Sequence, residues 1–111
     1  MITSAGKAVI AQLVAGESVP GWSIAVGFGT APPSEDDTGL GFEVGRAAAT
    51  VQVVGNRAVY RALITVPQSG ILSEVGLFAG STLVSRRVSQ GQWVPSGVMV
   101  SCEVILEFIG G

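Results

Sequence analysis

The side chains best suited to chemistry are concentrated in one stretch, Ser73 to Ser89, which reads SEVGLFAGSTLVSRRVS. Glu74 stands at its front. Two adjacent cations, Arg86 and Arg87, stand near its end, beyond two apolar runs and a small-residue turn. Such a set reads either as a site of chemistry or as part of a sheet that touches another protein. A tight loop at Ala79 to Ser81 places Glu74 across from Arg86 or Arg87. An opposite-charge cross-strand pair of that kind contributes about 0.2–1 kcal/mol and fixes register more than it stabilises.

The rest of the chain offers these groups no catalytic company. The 111 residues include no histidine, which removes the commonest general base and the usual triads. Cys102, the single cysteine, falls on the apolar face of an alternating segment and reads as a small buried hydrophobe. Glu35, Asp36 and Asp37 form an acidic run, but the alternating ligands and distal glutamate of a calcium loop are absent, so they read as a solvated loop. Glu103 and Glu107 are four residues apart on one strand face, about 13 Å at a strand's rise, which is too far for a glycosidase pair. Val26 to Thr30, VGFGT, has two glycines after a strand but no third glycine and no following helix, so a dinucleotide reading fails. These residues imply no catalytic group, no metal and no cofactor.

Composition narrows the classes further. Net charge is −2, so no basic field is available to hold nucleic acid. The longest helix-like apolar stretch, Ala8 to Ala15, is interrupted by Gln12 and is far shorter than the roughly 20 residues of a membrane span. One cysteine forms no internal disulfide. Only 13% of residues are charged, against about 25% in an ordinary soluble domain. A chain so poor in charge is expected to hide surface against partners. Arginine supplies five of its six cations, and arginine is the cation favoured at interfaces.

The elements that must position these groups are mostly strands. Val9, Ile10, Leu13 and Val14 follow helical spacing, with Thr3 or Ser4 as cap and Gly16 as stop, which predicts one helix over about residues 4–15. Seventeen valines and seven isoleucines favour strands elsewhere. Trp22 to Phe28 alternates at period two. Thr30 to Gly41, TAPPSEDDTGLG, reads as a long exposed loop. Phe42 to Ala49 and Val51 to Val54 are extended, and Gly55-Asn56 suits a type II′ turn into Arg57 to Val66. The Glu74–Arg87 hairpin follows, and then a loop over Gln90 to Gly97 carrying Trp93. A last strand runs from Val98 to Ile109, with Val98, Val100, Cys102, Val104, Leu106 and Phe108 on its core face. The expectation is one domain over residues 1–111. It is mainly β, an antiparallel β-sandwich of about seven strands with one short N-terminal α-helix.

The order of ITSAGKAVIAQLVAGE, SIAVGFGTAPPSEDDTGLGFEVGRAA, SEVGLFAGSTLVSRRV and VSCEVILEF resembles a small bacteriophage virion domain, usually met in tail-fibre or tail-associated proteins. The resemblance implies a non-enzymatic structural subunit of a phage particle, localised to the virion and assembled in the bacterial host cytoplasm. It implies a homo-oligomer such as a trimer, bound to other virion proteins of the tail and baseplate or to the major capsid protein, and neither nucleic acid nor membrane as partner. Carried over by position, Gly27, Gly29, Thr30, Glu43, Arg46, Glu74, Gly76, Leu77, Phe78 and Arg86 or Arg87 are fold or interface residues. Two alternatives stay open. One is a capsid decoration, or cement, protein. The other is a glycan- or peptide-binding module using the Thr30–Gly41 loop and Trp93.

Overall fold

Two tight turns set the frame. Gly55 (φ +60°) and Gly80 (φ +57°) adopt the left-handed backbone that their hairpin turns require. The first joins β3 (Thr50–Val54) to β4 (Arg57–Val66), and the second joins β5 (Gly70–Ala79) to β6 (Thr82–Val94). The computed structural model describes residues 1–16 and 21–107. Phe108 and Ile109, expected to end the last strand, lie outside the described residues.

Helix α1 (Ser4–Val14) comes first, then β1 (Trp22–Gly27), β2 (Glu43–Ala48), β3 to β6, and β7 (Val98–Glu107). The strands form two antiparallel sheets, β2-β1-β5-β6 and β3-β4-β7, packed as a β-sandwich. Their facing sides bury Ile24, Val26, Val44, Tyr60, Ile64, Val66, Leu77, Val84 and Leu106. β2 and β3 are separated only by Ala49, whose N–H donates to Trp22 O at 3.0 Å as the chain passes from one sheet to the other. β4 and β7 pair in unbroken register over ten residues, so the alternation of β7 faces one way as expected.

The helix is held by its N-terminus. The Thr3 hydroxyl caps it by accepting from Gly6 N–H at 2.9 Å, and Ile2 bridges to Ser85 at the β6 edge. Gly6 lies directly on β6, where an added Cβ would collide with the Val84 carbonyl. Val9 is then inserted into the inter-sheet core, whereas Val14 at the far end is exposed.

Two expectations need correcting. The loop expected over Gln90 to Gly97 is mostly strand: β6 continues to Val94, so Trp93 stands on a strand opposite Ile71 and only Pro95 to Gly97 turn. Gly91, at φ +81°, absorbs a shift in strand register there, so the glycine and polar residues disturb the strand without ending it. β1 is also buried on both faces from Ile24 to Gly27, because it is a central strand with a loop packed over its outer side.

Ile64 is buried, and its neighbour Thr65 points outward. Ile64→Ala is expected to cost about 2–5 kcal/mol and Thr65→Ala less than about 1 kcal/mol. Chemical denaturation of both variants measures this. Equal losses at the two positions would refute the register.

Candidate functional site

Glu74 and Arg86 are brought together by strand register. Arg86 lies opposite Gly76, and Glu74 lies opposite Val88, so the ion pair is diagonal and not directly cross-strand as expected. Its N–O distance is 3.0 Å. Nor is it a surface contact: the side chains are 0% and 3% exposed. The Thr30–Gly41 loop is mostly exposed, as expected, but it also folds back over this part of the four-stranded sheet. Leu40 packs there on Ala25, Phe78 and Leu83 in a second small apolar cluster.

The loop is tied down by the carboxylate. Glu74 Oε2 accepts from the backbone N–H groups of Gly29 and Phe42, both at 2.7 Å. Oε1 accepts from Gly41 N–H at 2.8 Å and from Arg86 Nε at 3.0 Å. Four donors fill the four lone-pair directions of an ionised carboxylate. Ser73 adds a bond from its hydroxyl to Gly29 O at 2.7 Å, and Phe28 N–H donates to Phe42 O at 2.9 Å. Both ends of the loop are therefore fastened at one point. Gly27 and Gly29 are glycines because a Cβ at either would collide with the Glu74 carboxylate. Neither has positive φ, so close approach requires them, and the expected bend does not.

Arg86 reaches the middle of the same loop. Its Nη1 donates to Asp37 Oδ2 at 3.1 Å, and that oxygen also accepts from Ser34 N–H at 2.9 Å. Its Nη2 is buried with no hydrogen-bond partner among the described residues. Burial pushes the Glu74 carboxyl up, but the N–H groups of Phe42, Gly41 and Gly29 and the Arg86 side chain outweigh it and hold the group below its ordinary value. The Ser34 N–H and the Arg86 guanidinium hold Asp37 low as well, against a smaller opposing effect of burial.

The other candidates do not join this cluster as one site. Glu43 and Arg46 pair side by side on β2 at 2.7 and 3.1 Å. The Arg46 guanidinium also lies 3.8 Å above the ring centre of buried Phe78, which ties that ring to the fold. Arg87 is exposed and makes no ion pair among the described residues. Trp93 is 61% exposed. Cys102 is half-buried on the inner side of β7, and burial pushes its thiol up, away from the reactive thiolate. No set of three or more histidine, cysteine, aspartate or glutamate side chains among the described residues could hold a metal ion.

Sequence reasoning missed Asp37, Gly41 and Phe42. Their signal was the glycines placed at both ends of the long loop, at Gly27, Gly29 and Gly41. Chemically, the Glu74 carboxylate has no lone pair free to take a substrate proton and no exposed side-chain surface. The arrangement holds the chain's own loop. No known protein family matches this chain, and no characterised protein matches it in sequence.

Removing one partner of a buried pair costs about 3–5 kcal/mol. Glu74→Gln and Arg86→Met are each expected to lose stability in that range, and the double variant less than their sum. Because the folded state holds Glu74 below 4.5, it binds fewer protons than the unfolded chain as the pH falls through that value. The contribution is complete above 4.5 and is lost as the pH drops through the folded value. Denaturation midpoints measured from neutral to acidic pH should fall more steeply for the wild type than for Glu74→Gln. Parallel curves would sink this account.

Proposed function

We propose that this chain is a non-enzymatic structural protein of a bacteriophage particle, tail-associated as a tail-fibre or baseplate adaptor component. It acts by self-assembly and attachment to other virion proteins. The ordered segments that resemble phage virion domains support the viral part of the reading. One observation carries the structural part: Glu74, Arg86 and Asp37 are all engaged in clamping the chain's own loop onto its own sheet. A loop held at both ends and in the middle presents a rigid surface, which association favours because little ordering entropy remains to be lost.

A decoration role on the phage head is the second reading. It is favoured by the low charge of the chain and by exposed apolar side chains such as Leu63 and Met99, which fit a domain that lies on other protein. Trp93 beside Ile71, both exposed at paired positions of β5 and β6, supports a third reading as a carbohydrate- or peptide-binding patch.

Electron microscopy of particles carrying a tagged copy of the chain tests the assignment. Label on intact particles is expected, at the tail for the leading reading and over the head for the second. A tagged chain that stays wholly in the particle-free fraction would refute both. Trp93→Ala should abolish any glycan-array signal if Trp93 is a binding platform; unchanged binding would exclude it.

A further inference from the structure

The two outer faces of the sandwich differ in kind. That of the four-stranded sheet is covered in part by the loop the clamp holds. That of β3-β4-β7 carries no such cover among the described residues, and it presents Val54, Leu63, Met99 and Ile105 to solvent. Leu63 is 63% and Met99 61% exposed. Single exposed apolar residues are ordinary, but several on one flat face mark an interaction surface.

The charges on this face are ordered. Arg57 and Arg61 both stand on β4, and their partners Glu107 and Glu103 both stand on β7. Register stacks the rows Arg57–Glu107, Val59–Ile105, Arg61–Glu103, Leu63–Ser101 and Thr65–Met99. The face is thus positive along one strand and negative along its neighbour, with an apolar row between the two charged rows.

We propose that this face docks on the same face of a second copy, with a two-fold axis running parallel to the strands between β4 and β7. That operation lays β4 of each copy over β7 of the other and preserves position along the strand. Arg61 then meets the partner's Glu103, Arg57 meets the partner's Glu107, and Val59 meets the partner's Ile105. The other in-plane axis, perpendicular to the strands through the central row, would set Arg61 on Arg61 and Glu103 on Glu103. Charge complementarity therefore selects one geometry. Aligned sheets cross at about 30°, so the match is best at the central Arg61–Glu103 row and loosens towards the ends. A three-fold axis cannot set a face against itself, so this surface specifies a dimer and not the trimer expected above.

Strand spacing gives β4 and β7 a footprint of about 10 Å by 30 Å, roughly 600 Å² over both copies, which is below the range of standard specific interfaces and in that of weak contacts. The dimer is accordingly weak and concentration-dependent, and it is populated towards the high end of the concentrations tested below. The apolar Val59–Ile105 row supplies attraction, Leu63 and Met99 pack on the partner's Ser101 and the partner's Thr65, and the charges supply orientation.

The inference deepens the structural reading above and rests on it only for the expectation of self-association. Sedimentation velocity of the full chain, from micromolar to millimolar concentration, tests it together with charge swaps. Arg61→Glu places like charges together and should weaken association at least about tenfold. The double variant Arg61→Glu/Glu103→Arg restores the pair within each chain and between two swapped copies, so it should dimerise like the wild type. Swapped and wild-type chains should not pair with each other, which differently tagged chains report by co-purification. Ile105→Asp, at an outward position, should give a folded monomer. A wild type that remains monomeric throughout overturns the dimer face, as do free mixing of swapped and wild-type chains and an Arg61→Glu variant that associates normally. None of these results bears on whether tagged chains label particles, so the two readings fail separately.

Discussion

Glu74 is the constraint on which the rest of this structure turns. A carboxylate with no exposed side-chain surface is expensive to bury, and only a full set of donors makes it tolerable. Here the donors come from three distant pieces of chain: Gly29, the Gly41-Phe42 pair and Arg86. Satisfying one buried charge therefore fixes where a long loop begins, where it ends and which sheet it covers. The same requirement accounts for glycine at positions 27 and 29, where side chains would occupy the carboxylate's place. Gly76, opposite Arg86, is glycine for a separate reason: the apolar side chains of Leu40, Leu83 and Phe78 approach too closely for a Cβ.

That constraint makes the molecule two-sided. Over one sheet, the held loop and Leu40 seal a second apolar cluster, and Arg46 lies against its Phe78. The other sheet leaves its outer strand surfaces bare, with paired charges and apolar side chains in rows. The ion pairs there are exposed and each contributes little to folding. Their value lies in arrangement, because rows of opposite sign on adjacent strands make a surface complementary to itself. Within one small domain, buried ion pairs hold a loop in place and exposed ones pattern a surface.

Much of this architecture was legible in the chain. The helix capped by Thr3, the Gly55-Asn56 turn and the strict alternation of β7 are local patterns, and each produces its element with little help from elsewhere. Glu74 and Arg86 were legible as a pair because the hairpin that joins them is short. Their burial was not. It depends on a loop from residues 30–41 that carries two prolines and three acids and reads as solvent-facing by composition. β6 was misjudged for a related reason: Gly91 and its polar neighbours resemble a loop, yet pairing with β5 carries the strand on to Val94.

Residue type and spacing within a few positions suffice for the strand count, the two hairpin turns and the capped helix, and composition alone removes histidine chemistry. Packing, by contrast, makes Glu74 a clamp and not a surface charge, brings Asp37 to Arg86, and aligns the charges of β4 and β7 in columns. Those facts rest on contacts between segments tens of residues apart. Local periodicity carries no record of which distant N–H groups will meet a carboxylate, because that is set by how the two sheets and the loop pack together.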